Sequence, residues 1–254
     1  MKRIFLATTL LTSTIAMSAP HWTHEEQAEW GGIQDSTQTV APLTYPYAEC
    51  NIGQHQSPVD LGTMTSETSL NSLQTKYVAD KPDFFNSGHA VQVNVSSNYK
   101  GQLKIGSDAY PLIQYHFHAP SEHVIGSKTY PAELHFVHIR PDGKMAVLGV
   151  LLEEGKANST IQTILDNVSK VGSEHKKDTG LTINPTSLLP KTLSKFYTYA
   201  GSLTTPPCSE GVNWYVLATP ITVSTTQMTQ LEDLYNDNAR KAQNLNGRVV
   251  SGKK

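Results

Sequence analysis

The stretch QYHFHAPSEH, Gln114 to His123, holds three histidines and one glutamate. Each imidazole carries two ring nitrogens that need partners wherever the ring is buried, so this cluster constrains its surroundings more than any other segment. PLIQYHFH reads as a strand, and side chains on a strand alternate faces. His116 and His118 therefore leave one face together, with Gln114 beside them. A second strand-like segment, AELHFVHIR, puts Glu133, His135 and Val137 on one face and Leu134, Phe136 and His138 on the other. If the two strands are neighbours, His135 completes a three-histidine cluster and His138 points into the protein on the far side. Three neutral imidazoles leave one tetrahedral position of a zinc ion open, the arrangement of a catalytic rather than a structural zinc. Copper and iron also accept imidazole; the absence of thiolate or extra carboxylate donors favours Zn2+. A zinc held this way lowers the pKa of its water towards about 7 and makes hydroxide available at neutral pH. Glu133 and Gln114 are placed to accept the free ring N–H of a ligand, which would fix its tautomer.

The remaining pattern is mostly extended. HAVQVNVS alternates strictly, with His89, Val91, Val93 and Val95 on one face, and KMAVLGVLLEE and GVNWYVLATPITV are further strand candidates. SSNYKG, RPDGK and TPPCSEG supply turn chemistry between them. Two helices are expected. One is capped by Ser159 and carries Ile161, Ile164, Leu165 and Val168; the other follows Ser224, with Met228, Leu231 and Tyr235 along one stripe. No repeat or linker divides the chain, and 254 residues suit one large domain. The fold class expected is mainly β with peripheral helices.

The chain begins MKRIFLATTLLTSTIAMSAP: two basic residues, a threonine-diluted apolar run too short to span a bilayer comfortably, then small residues. That is the form of a cleaved export signal, residues 1–19, leaving residues 20–254 as the folded domain in a periplasmic or secreted location. A formal net charge of −2 gives no electrostatic case for nucleic acid or for an anionic membrane after cleavage. In an oxidising compartment Cys50 and Cys208 either form the single available disulfide or stay as two buried thiols.

Taken together, IQYHFHAPSEH, AELHFVHIR, AVLGVLLE, GSLTTPPCSEGVNWYVL, NGR, HQSPVDL and NSGHAVQV resemble the α-class carbonic anhydrases in order and spacing, from about Trp30 to Val250. The resemblance implies reversible hydration of carbon dioxide to bicarbonate on a large, mostly antiparallel twisted sheet. His116, His118 and His135 look like the zinc ligands, with Glu133 and Gln114 as their hydrogen-bond partners. Thr204 and Glu122 look like the pair that orients the zinc-bound hydroxide. Val137, Val147, Leu203 and Trp214 match the apolar niche for carbon dioxide, and Thr205 matches a polar position beside the product. His89 matches the proton shuttle, whose ordinary pKa of about 6.5 suits transfer from the metal water to buffer. Cys50 and Cys208 match the disulfide of the exported bacterial branch, where it would brace the loop carrying Thr204. Sulfonamide inhibition is a family property, and dimers are common among exported relatives, so a homodimer is an assembly the resemblance allows. The family commonly carries tyrosine where this chain has Gly32, which implies altered surroundings for His89.

Two other readings compete. HFHAPSE satisfies the HxH-x3-E signature of a cupin, which would enlist Glu122 as a metal ligand but leave AELHFVH unexplained. A non-catalytic exported metal-binding protein would instead carry flexible His/Asp-rich tracts, which this sequence lacks.

Overall fold

The apolar runs become the strands of a single twelve-stranded sheet. The computed structural model of the protein describes residues 19–38, 41, 43–235 and 237–253; the expected export signal lies outside them except for Ala19. In chain order the strands are β1 (Thr65–Ser66), β2 (Leu73–Thr75), β3 (Asp83–Asn86), β4 (Val91–Asn94), β5 (Gln102–Ile105) and β6 (Asp108–His118). They continue with β7 (Ala132–Ile139), β8 (Met145–Glu154), β9 (His175–Lys176), β10 (Phe196–Ser202), β11 (Glu210–Val223) and β12 (Ser251–Lys253). The order across the sheet is β1-β12-β10-β11-β8-β7-β6-β4-β3-β9, with β5 pairing β6 and β2 pairing β5. Only β11 with β8 and β1 with β12 run parallel, so the sheet is mostly antiparallel, as expected.

β7 and β8 sit at the centre and are covered on both faces, which is why their sequences read as continuous rather than alternating apolar runs. The pleat still sorts their side chains. Leu134, Phe136, Ala146, Leu148, Val150 and Leu152 join the main core on one face. Val137, Val147 and Leu151 join a second core on the other, together with Trp214, Tyr199 and Val216. His138 belongs to the first face, where its ring nitrogens meet Tyr77 Oη at 2.7 Å and Ala146 O at 3.1 Å. The metal-type histidines belong to the second face.

The RPDGK turn closes the β7–β8 hairpin, Gly143 taking the left-handed φ of 84° that its tight return requires. α2 (Ser159–Leu165) starts where expected, but its cap is Asn158, not Ser159: the Asn158 side chain accepts from Thr160 N and Ile161 N. Ser224 caps α3 (Thr225–Glu232) as expected, in a capping box with Gln227. His89 departs from the strand reading. β4 begins at Val91, so His89 lies in the preceding turn rather than on the face of Val91 and Val93. Cys50, in α1 (Glu49–Ile52), is disulfide-bonded to Cys208 across 158 residues. By the chain-entropy argument, closing a loop of that length stabilises the fold by up to about 5 kcal/mol.

Candidate active site

Register puts His116 of β6 directly opposite His135 of β7, and His118 opposite Glu133. Opposed residues on a pair of strands have Cβ atoms about 5 Å apart, so the three imidazoles crowd over one patch of sheet. One donor nitrogen from each of His116, His118 and His135 lies within 4.8 Å of the others. Each remaining ring nitrogen faces an oxygen. Gln114 Oε1 stands 2.8 Å from His116 Nδ1, Asn238 O 2.8 Å from His118 Nδ1, and Glu133 Oε1 3.0 Å from His135 Nε2. Carbonyl and carboxylate oxygens only accept, so each of those nitrogens carries the proton and its ring partner carries a lone pair. The lone pairs are Nε2 of His116, Nε2 of His118 and Nδ1 of His135. His118 Nε2 is sealed from solvent and has no hydrogen-bond partner, an expense a buried polar atom does not normally bear. Burial lowers the pKa of all three rings and keeps them neutral, the form a metal ligand needs. The residues fit a tetrahedral ion with three imidazole donors.

Glu133 is fully buried, and its carboxylate is crowded with donors. His123 contributes its backbone N–H at 2.8 Å and its Nδ1 at 2.7 Å, while His123 Nε2 stands 2.7 Å from Tyr199 Oη. Burial alone would raise the Glu133 pKa, but His123 and His135 outweigh it and hold the carboxyl well below its ordinary value. Space for this carboxylate is supplied from β8. Gly149 lies opposite His135, and a Cβ there would come 2.9 Å from Glu133 Oε1 and 3.2 Å from Val216 Cγ2.

On the loop side, Glu122 is buried and accepts the backbone N–H of Arg240 at 2.8 Å. Burial pushes its pKa up to about 7, offset in part by His135, by the Arg240 N–H and by the Thr204 hydroxyl. Glu122 Oε1 lies 3.5 Å from His118 Nδ1, the nitrogen that already carries a proton. Among the described residues Glu122 belongs to neither cluster able to hold an ion, so its ligand role in the cupin reading fails. The second such cluster, His123, Glu133 and His135, is the Glu133 network itself and shares His135 with the first. Thr204 and Thr205 sit in the loop between β10 and β11, where Cys208 N donates to Thr205 O at 2.9 Å and Leu203 N to Ser209 O at 3.0 Å.

Val137, Val147 and Trp214 form one row across β7, β8 and β11. Leu203 packs against the same cluster from the loop. Trp214 is held in place, its Nε1 donating to Ser202 O at 2.9 Å and its ring meeting the His135 ring edge-on at 4.8 Å. The result is an apolar wall beside the imidazoles.

His89 stacks flat on Trp22 at 3.7 Å, with His24 at 6.3 Å and His21 at 6.4 Å. These rings border a cavity of about 360 Å³ that Asn238 also lines. Burial first, then His21, lowers the His89 pKa. His24 is pushed down to about 3 by burial and by His118 and His89. Gly32 does not line this cavity; it sits exposed at the end of a short turn, and a Cβ there would meet nothing within 4 Å. The surroundings of His89 come instead from residues 21–24.

Sequence reasoning missed His123, Tyr199, Asn238, Arg240 and His24. The histidine density of QYHFHAPSEH was the one signal for His123. Asn238 bonds His118 through its carbonyl, Ala119 N through Oδ1, and His89 O and Phe117 O through Nδ2. A carbonyl of an irregular segment 120 residues from its partner leaves no pattern to read.

Comparisons with known proteins converge with this geometry. Residues 42–254 match the family model described as eukaryotic-type carbonic anhydrase. The carbonic anhydrase of Pectobacterium atrosepticum is 35% identical over 261 aligned positions, covering 98% of this chain and 99% of that protein. That of Neisseria gonorrhoeae is 36% identical, covering 96% and 94%. The solved structure of the α-carbonic anhydrase from Thermovibrio ammonificans with the inhibitor sulfanilamide superposes with a TM-score of 0.81 at 34% identity, covering 92% of this chain and all of that one. The chain belongs to the eukaryotic-type, α-class carbonic anhydrases, and its activity is the reversible hydration of carbon dioxide to bicarbonate and a proton.

Proposed function

We propose that this anhydrase works with one Zn2+ held by His116 Nε2, His118 Nε2 and His135 Nδ1. The observation that carries the reading is the convergence of these three lone pairs while every opposite ring nitrogen faces an oxygen acceptor. Bound there, the ion would acidify a water at its fourth position and so supply the nucleophile at neutral pH.

The protein's own groups do the rest. In this reading Thr204 gives its single proton to Glu122, whose buried Oε2 has no other partner, so only oxygen lone pairs face the open position. A group occupying that position must donate a hydrogen bond to Thr204, which fixes its orientation and disfavours ligands without a proton. Carbon dioxide has no net dipole, and Val137, Val147, Leu203 and Trp214 offer it a dry surface beside the imidazoles. Thr205 stands one residue on, as a polar contact for bicarbonate. His89 takes the product proton to buffer, its neutral ring being the accepting form.

Residues 20–254 form one domain behind a signal cleaved after residue 19, and the mature protein resides in the periplasm or outside the cell. No helix among the described residues is long and apolar enough to cross a membrane. Sulfonamides inhibit by donating from nitrogen to Thr204. Stopped-flow hydration of carbon dioxide by zinc-loaded protein, with and without a sulfonamide, tests the reading. Fast hydration abolished by the sulfonamide supports it; zinc-loaded protein at the buffer rate refutes it.

A further inference from the structure

The guanidinium of Arg240 is buried, yet among the described residues it meets no carboxylate in an ion pair. Its partners are neutral oxygens: Nη1 donates to Gln56 Oε1 at 2.8 Å and Ser57 O at 2.9 Å, and Nη2 donates to Cys50 O at 2.8 Å. Gln56 in turn donates from Nε2 to Cys208 O at 3.1 Å. The carbonyls of both disulfide-bonded cysteines are thus gripped by one Arg240–Gln56 unit. The main chain of the same arginine donates to Glu122 Oε1 at 2.8 Å. A cation buried against neutral oxygens and the face of Trp30 is costly, and an apolar side chain would satisfy packing more cheaply. What the planar fork supplies is three acceptors held at fixed directions.

We infer that Arg240 is a positioning residue for the Glu122–Thr204 pair, carrying the constraint of the Cys50–Cys208 bridge to the Glu122 carboxylate. The inference deepens the proposed function and rests on its assignment of that pair. Cys208 ends the loop that carries Thr204, and its left-handed φ of 58° is stabilised locally by its N–H bond to Thr205 O. The bridge therefore reaches the threonine through this loop and the carboxylate through Arg240. One anchor sets both members of the pair.

The test uses zinc-loaded R240K and Q56M, beside C50S/C208S, all measured below their melting temperatures with zinc content verified. Lysine keeps the charge of Arg240 but loses the fork, and methionine keeps the length of Gln56 but loses its three side-chain bonds, to Arg240, Cys208 O and Glu210 Oε1. R240K and Q56M are expected to lose about tenfold in kcat/KM and in sulfonamide affinity, while affinity for iodide, which has no proton to give Thr204, stays within twofold. Adding Q56M to C50S/C208S should cost less than the separate losses combined, because both act through one connection. Amide exchange at Arg240 should quicken about tenfold in Q56M, a readout independent of catalysis. Equal loss of sulfonamide and iodide binding, or unchanged kcat/KM and unchanged Arg240 exchange in folded Q56M, overturns the inference. Inactivity of the zinc-loaded wild type would instead refute the proposed catalytic roles, and the exchange result would still decide whether Arg240 is anchored by the bridge.

Discussion

The two sides of the active site are built by different means. On the sheet side, His116, His118, Glu133, His135, Val137 and Val147 take their places from the register of β6, β7 and β8. A slip of one residue would turn every one of them to the other face, so the hydrophobic sorting of the strands holds the whole set at once. On the loop side, Glu122, Thr204 and His89 are placed by tethers from distant segments. These are Arg240 N to Glu122, the Cys50–Cys208 bridge beside Thr204, and Asn238 Nδ2 to His89 O. The sheet should therefore lose function only when a donor atom is removed, whereas the loops should lose it when a tether is cut at a distance.

The largest effect that sharpens this contrast is expected from H118A. It removes one lone pair of the three and should abolish zinc retention and hydration together, as read by metal analysis and stopped-flow. A variant that keeps stoichiometric zinc and wild-type turnover would show that the sheet does not supply the donors. E133Q comes next. It keeps the shape but removes the charge that faces His135 Nε2, and should cost about 10–100-fold in zinc affinity or activity. The Gly149→Ala change should act in the same direction and more weakly, by crowding Glu133 Oε1 from 2.9 Å away.

On the loop side, C50S/C208S should lower stability by about 2–5 kcal/mol and lower kcat/KM at temperatures where the fold persists. Thermal melts with kinetics at low temperature check both. Equal Tm and turnover in the variant would break the contrast. H89A is the smallest and most selective: kcat in weak buffer should fall by up to about 100-fold and recover with added imidazole, while kcat/KM is unchanged. The pH dependence follows from sign. His89 must be neutral to accept a proton, so hydration kcat rises as pH passes above its pKa. Burial and His21 lower that pKa, placing the rise below the ordinary 6.5. A kcat profile rising above 6.5, or one unaltered in H89A, would move the shuttle elsewhere.

The same contrast governs what could be read from the sequence. β6, β7, β8 and β11 were legible because a strand writes its two faces into every second residue, and His116, His118 and His135 followed from that pleat. The disulfide was one of two states the sequence left open for Cys50 and Cys208, and the family resemblance pointed to it. β3, β5 and β10 went unread: the first two are four residues long, and β10 ends in small residues, AGS, at an irregular pairing with β11. His89 was misplaced onto β4 because alternation in HAVQVNVS extends past the point where backbone pairing stops. The two hydrogen-bonded tethers could not be read. Arg240 reaches Glu122, and Asn238 reaches His118, through main-chain atoms across more than a hundred residues, and neither property leaves a mark in residue type or period.

The claim beneath all of this is that β6 and β7 aim three imidazole lone pairs at one ion and leave a side open. A crystal structure of the zinc-loaded protein, with anomalous scattering at the zinc edge, measures that directly. The expected result is a single ion bound by His116 Nε2, His118 Nε2 and His135 Nδ1, with its fourth side towards Thr204. An ion placed elsewhere, or one bound by the Glu122 or Glu133 carboxylate in place of any of these nitrogens, would contradict the account.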